Sequence, residues 1–172
     1  MESSSILKTI EIRYRVTNLH DLSSKHRDLY MEVRKEVRKA YAPYSNFGVC
    51  AGILLGDGRM LVGTNQENAS YPVGICAERV VLSAWSVGNS SPKIQTMLIL
   101  TEKLTSPDAN MGFDFKIDPD LPVAPCGMCR QAMAEQVFRQ KGDFELLLVS
   151  SSGRVWIFDK AMALLPMAFG VI

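Results

Sequence analysis

Two short cysteine patterns carry the chemistry in this chain. Cys126-Gly127-Met128-Cys129 is a C-x-x-C pair behind a proline, Pro125, and Cys76-Ala77-Glu78 sets a third thiol two residues from a carboxylate. Three thiolates at about 2.3 Å suit Zn²⁺ and leave its fourth tetrahedral position open. An open position takes water, whose pKa zinc lowers from about 15.7 toward about 7. Glu78 lies too close to Cys76 in sequence to be a good fourth ligand, and is placed to move protons beside that water. Arg79 is a candidate to donate to the sulfurs and offset their charge, although a surface ion pair explains it equally well by spacing alone.

A lone C-x-x-C is weak, because a redox pair or half of a structural zinc knuckle reads the same way. The redox reading leaves Cys76 and Glu78 without a purpose. A closed four-thiol site would require Cys50, which sits within the apolar run Val49-Cys50-Ala51 and reads as a packed thiol. Three ligands and a carboxylate fit best and point to catalysis.

These groups need helix starts, where free N–H groups and the dipole favour thiolates. The spacing predicts helices over Cys76–Val87, stopped by Gly88-Asn89, and from Pro125 to about Lys141, with Pro125 in the first turn. An earlier helix, capped by Asp21, Ser23 or Ser24, runs to about Ala40 before Pro43, with Leu22, Leu29, Val33, Val37 and Ala40 lining one face. His26 reads as an ordinary packed side chain near that face. Arg34, Lys35, Arg38 and Lys39, among Glu32 and Glu36, read as a solvated face with i,i+3 and i,i+4 pairs.

Strands are expected at Val49–Leu55 and Met60–Thr64 around a Gly56-Asp57-Gly58 turn, at Ile94–Leu100, Phe144–Ser150 and Val155–Phe158. Alternation over Ile10–Val16, within Lys8–Thr17, predicts an extra strand at a sheet edge or reaching to a neighbour. Asp159 is expected to cap a short helix over Lys160–Leu165. Thr105–Val123, with three prolines, one glycine and four aspartates, reads as an inserted flap beside the site. The order (β)αββαβαββα implies one α/β domain over 1–172. It is a three-layer α/β/α sandwich on a mixed five-stranded sheet, with residues 1–20 as an N-terminal extension and 105–123 as an inserted loop.

The chain resembles the zinc-dependent nucleoside deaminases, whose signature pairs a ligand-x-Glu with Pro-Cys-x-x-Cys. The three-cysteine form is similar to the small homotetrameric cytidine deaminases. Tyr41-Ala42-Pro43-Tyr44-Ser45-Asn46-Phe47 matches that family's Pro-Tyr-Ser-x-Phe segment, and Thr64–Tyr71 its nucleoside-binding loop. Gly74–Arg79 and Pro125–Gln131 match its zinc-bearing helix starts, and Leu164–Gly170 its C-terminal helix and aromatic.

The resemblance implies one Zn²⁺ per subunit on Cys76, Cys126 and Cys129, with Glu78 as proton shuttle. It implies substrate contacts from Phe47 on the base, Asn65 and Glu67 on the ribose 3′-hydroxyl, the Ala124 carbonyl on the amino group, and Ala77. Tyr71 could come from a neighbouring subunit, and Phe169 would reach in from one. Arg79 and Gln131 would support the metal site. The implied activity is hydrolytic deamination of cytidine and deoxycytidine in a cytoplasmic homotetramer with shared active sites. A buried Glu67 without a partner would be costly, so a sugar hydroxyl gives it a use.

Composition limits the rivals. The chain has 172 residues, 47% hydrophobic and 22% charged, and its 19 Lys+Arg against 18 Asp+Glu leave a net charge of +1. That balance disfavours polynucleotide or membrane-surface partners and suits a neutral nucleoside. No secretory signal pattern opens the chain and no apolar run approaches a membrane span.

Overall fold

The computed structural model describes residues 5–88, 91–104 and 118–170. Its centre is the run Phe47–Leu55 (β2), flanked by Met60–Thr64 (β3) and Ile94–Lys103 (β4). Successive side chains of a strand alternate between faces, so a strand covered on both sides needs apolar residues at nearly every position. In β2, Cys50 and Leu54 join the core under helix α1 (Ser24–Glu36), while Ala51, Ile53 and Leu55 join the core under α2 (Ala77–Val87) and α3 (Gly127–Gln140).

With Arg15–Asn18 (β1), Glu145–Val149 (β5) and Arg154–Phe158 (β6), the strands form one six-stranded sheet in the order β1-β6-β5-β4-β2-β3. Only β4 and β5 run parallel; the other neighbours are antiparallel. The mixed sheet between two helical layers is thus the expected sandwich, with the N-terminal strand as sixth member. The β4–α3–β5 crossover brings the start of α3 to the same end of the sheet as the start of α2.

Glycines set the layer distances. A Cβ at Gly52 would clash with Val33 Cγ2, so α1 lies directly on β2. A Cβ at Gly63 would lie 2.9 Å from the Val81 backbone nitrogen, so α2 is seated on β3 just beyond its cysteine-bearing start. Gly58 takes φ +87° in the β2–β3 hairpin, a conformation closed to most side chains.

Several expectations change at their edges. β1 covers only 15–18 rather than Lys8–Thr17, because its ladder partner runs out. Arg15 faces Ile157, and β6 ends at Phe158. Helix α1 ends at Glu36 and tightens into a 3₁₀ turn over Val37–Lys39, with Ser23 as its N-cap accepting from His26 N. Pro125 stands before the Cys126 N-cap rather than inside the first turn of α3, and its carbonyl accepts from Arg130 Nε at 2.8 Å.

Asp159 does not cap the last turn, a 3₁₀ segment over Ala161–Leu164. That role falls to Asp143, whose Oδ1 accepts from Ala161 N at 2.9 Å, while Asp159 pairs with Arg15. His26 is more than a packed side chain: its Nε2 lies 2.8 Å from Glu145 Oε2. The basic face of α1 is paired, Lys35 with Glu32, Lys39 with Glu36, and Arg34 and Arg38 with Glu102 of β4. The expected flap lies, for residues 105–117, outside the described residues. Among the described residues, no helix is long and apolar enough to cross a membrane.

Candidate metal centre and substrate cavity

The two helix starts meet at their cysteines. Cys76 is the N-cap of α2 and Cys126 that of α3, both in extended backbone, and Cys129 follows in the first turn. First-turn N–H groups have no intrahelical acceptor and present the positive end of the dipole, which lowers the cost of thiolate there. The three sulfurs lie within 4.8 Å of one another, and Cys126 Sγ is 3.5 Å from Cys129 Sγ.

Sulfurs about 2.3 Å from one tetrahedral zinc stand roughly 3.8 Å apart, so this donor set fits a single ion in both chemistry and spacing. Hydrogen bonding from Cys129 pulls the Cys76 thiol below its ordinary value, and the same bond, with burial, pushes Cys129 up. Cys50 stands apart on β2, fully buried, its thiol pushed up to about 12 by burial. It packs in the α1 layer, as expected.

Glu78, one residue into α2, is 4% exposed. Burial raises its carboxyl pKa, and the Cys129 contact and the Arg79 charge act in the opposite direction. Arg79 donates through Nη2 to the Gly74 carbonyl at 3.2 Å, while its Nε is buried without a hydrogen-bond partner. A half-buried cation next to Glu78 and close to the sulfur cluster offsets part of the negative charge that three thiolates bring.

Cys76, Cys126 and Glu78 form part of the wall of a cavity of about 410 Å³, within the roughly 300–1,000 Å³ usual for small-ligand sites. Phe47, Asn65, Glu67, Tyr71 and Ala124 line the same cavity, with Ile99 and Thr101 of β4. The Asn65 side chain clamps the start of β2, with Oδ1 accepting from Val49 N at 2.8 Å and Nδ2 donating to the Phe47 carbonyl at 2.9 Å. Glu67 is not a carboxylate waiting for a partner. Its Oε2 accepts from Tyr44 N at 2.9 Å and Ser45 N at 3.3 Å, and its Oε1 from Ser45 Oγ. The cost inferred from burial alone is therefore met within the chain.

Ala77, Gln131 and Phe169 do not line this cavity. Ala77 is buried in the core beneath α2, away from the cavity wall. Gln131 spends its amide on the main chain of Phe169, accepting from Phe169 N at 3.0 Å and donating to its carbonyl at 2.6 Å, rather than on the thiolates. The Phe169 ring is 89% exposed and does not line the cavity of its own chain. Ser45 and Thr101 were not singled out from the sequence. Ser45 falls inside the Tyr41–Phe47 segment, and Thr101 lies one residue past the expected strand Ile94–Leu100.

Known proteins share this arrangement. The sequence model of the cytidine and deoxycytidylate deaminase zinc-binding region matches residues 23–140. The chain is 39% identical over 97 residues to a cytidine deaminase of Halalkalibacterium halodurans, covering 56% of this chain and 60% of that protein. It is 33% identical over 133 residues to the cytidine deaminase of Mycobacterium tuberculosis, covering 77% of this chain and 80% of the relative. The solved cytidine deaminase from Burkholderia pseudomallei superimposes with a TM-score of 0.68 and 34% identity, over 84% of this chain and 98% of that one. With the metal-ligand geometry in place and more than half of its length matched, the chain belongs to the cytidine and deoxycytidylate deaminase zinc-binding family.

Proposed function

We propose that this chain hydrolyses cytidine and deoxycytidine to uridine and deoxyuridine with release of ammonia, as a zinc enzyme carrying one ion per subunit. The observation that carries this reading is the three-thiol cluster at two helix starts, with buried Glu78 beside it on the wall of a nucleoside-sized cavity. Cys76, Cys126 and Cys129 would hold the ion, which when bound supplies a nucleophilic water at neutral pH.

The chain's own groups do the rest. Glu78 accepts a proton from the attacking water and delivers it to the pyrimidine N3 as C4 is attacked. It then takes the remaining proton of the hydroxyl added at C4 and passes it to the amine, which leaves as ammonia as the C4 carbonyl forms. A carboxylate in a dry site suits this two-way traffic, because burial disfavours its charged form and narrows the gap to its partners. Phe47 packs against the base, the Ala124 carbonyl accepts from the substrate amino group, and Asn65 and Glu67 take the 3′-hydroxyl through their remaining lone pairs and N–H. Tyr71, edge-on to Tyr44 with ring centroids 6.1 Å apart, borders the mouth.

The exposed Phe169, held by Gln131 outside its own cavity, supports a homotetramer in which that ring covers a neighbour's substrate. A cytoplasmic setting is part of the same proposal, since it would keep the thiols reduced. The test is a panel of cytidine, deoxycytidine, their monophosphates, cytosine and adenosine, followed by loss of absorbance. Turnover of the two free nucleosides well above the others is expected. Preference for a monophosphate, or for adenosine, would overturn the substrate assignment.

A further inference from the structure

The N-terminal arm leading into β1 stays extended after its partner strand has ended. None of the backbone groups of residues 6–13 joins a ladder or turn with another described residue. The arm nonetheless has two distinct faces. Ile10, Ile12, Tyr14 and Val16 are 53%, 46%, 45% and 55% exposed. Tyr14 lies tilted against Trp156 and stacks on Phe158, with centroids 4.9 and 5.1 Å away, which turns that apolar face toward the α2–α3 layer. Glu11 and Arg13 occupy the other face, where they pair at 2.9 Å.

An edge strand with free ladder groups and a half-exposed apolar face is a template for another strand. The order of its charges selects that strand. We propose that a second copy of this chain covers the arm, the two arms pairing antiparallel about a two-fold axis through Ile12. In that register Glu11 faces the other copy's Arg13 twice over, Ile10 faces Tyr14, and Ile12 faces itself, so like meets like on the apolar face and opposite charges meet on the other.

Neighbouring registers lose this match. An axis at Glu11 sets two glutamates opposite each other, and one at Arg13 sets two arginines opposite each other. An axis between residues sets apolar side chains against polar ones. The matched part of the paired arms, residues 10–14, spans about 16 Å, and beyond it Lys8 faces the exposed Val16. None of the arm's residues borders the substrate cavity, so the proposal stands apart from the deaminase reading.

The test is site-directed cross-linking in the full chain. Across an antiparallel pair the Ile12 positions lie about 4.5–5.5 Å apart at Cα, within disulfide reach. Two Thr9 positions would be about 20 Å apart. Mild oxidation of Ile12→Cys is expected to yield a covalent dimer, with Thr9→Cys no higher than the unaltered protein. Adding Arg13→Glu to Ile12→Cys should lower the dimer yield about tenfold, and adding Glu11→Arg as well should restore it, since the reversed pair is again opposite in sign. Absence of the Ile12→Cys dimer, equal cross-linking at Thr9→Cys, or indifference to the charge reversal would each overturn the proposal.

Discussion

Ser45 joins the two halves of the substrate site through one hydroxyl. Its Oγ donates to Glu67 Oε1 and accepts from Phe47 N at 3.1 Å, so it ties the proposed sugar contact to the proposed base contact. Ser45→Ala removes one charge-assisted hydrogen bond from Glu67 but leaves the backbone donors of Tyr44 and Ser45 in place. Such bonds contribute about 1.5–3 kcal/mol. With two donors remaining, the lower end applies, about 1.5 kcal/mol or roughly tenfold in kcat/KM, expressed mainly in KM. The assay compares cytidine with 3′-deoxycytidine, which has no hydroxyl for Glu67 to bind. The cytidine value should fall about tenfold and the 3′-deoxycytidine value by much less, with Ser45→Thr close to the parent. Equal losses on both substrates would refute the role of Ser45 in positioning Glu67, since only a general loosening of the loop acts on both alike.

Two further perturbations probe the scaffold. Hydrogen bonding to His26 holds the Glu145 carboxyl below its usual range, with burial opposing it and Arg15 assisting. A depressed carboxylate pKa contributes stability above the unfolded value of about 4.3 and loses it as pH falls through the folded value. Urea unfolding of the parent should therefore weaken more steeply than that of His26→Ala as pH falls below about 4.3; parallel slopes would contradict the linkage. Gln131→Ala removes both hydrogen bonds to the Phe169 main chain. It should keep its zinc while KM for cytidine rises several-fold, about 1 kcal/mol per bond setting the scale. Loss of zinc instead would return Gln131 to the metal site.

What could be read before folding was mostly local. Met60–Thr64 was legible as a strand because its ends are set by the Asp57-Gly58 turn and the loop after Thr64. The cysteines were legible at helix starts because N-cap chemistry acts over a single turn. What failed depended on distant chain. The arm alternates like a strand throughout, yet it stops pairing where β6 ends. Asp159 has the right spacing for a cap, but Asp143 reaches the same N–H from the other end of the β5–β6 hairpin. Glu67 looked unpartnered because its donors lie 22 and 23 residues earlier. Gln131 sits one turn from the thiols in sequence, but the returning C-terminal segment claims its amide. Bringing Cys76 to Cys126 required the parallel β4–β5 crossover, which the strand-helix-strand order implies only as a mixed sheet, without naming the pair that runs parallel.

The central claim is that Glu78 moves the proton while three thiols alone hold the metal. The direct measurement is zinc content and cytidine turnover of Glu78→Gln, side by side with the parent. The expected result is one zinc per chain in both proteins, with deamination by the variant lower by roughly 10²–10⁴-fold or more. A variant that keeps its zinc and deaminates cytidine at near the parent rate would contradict the account.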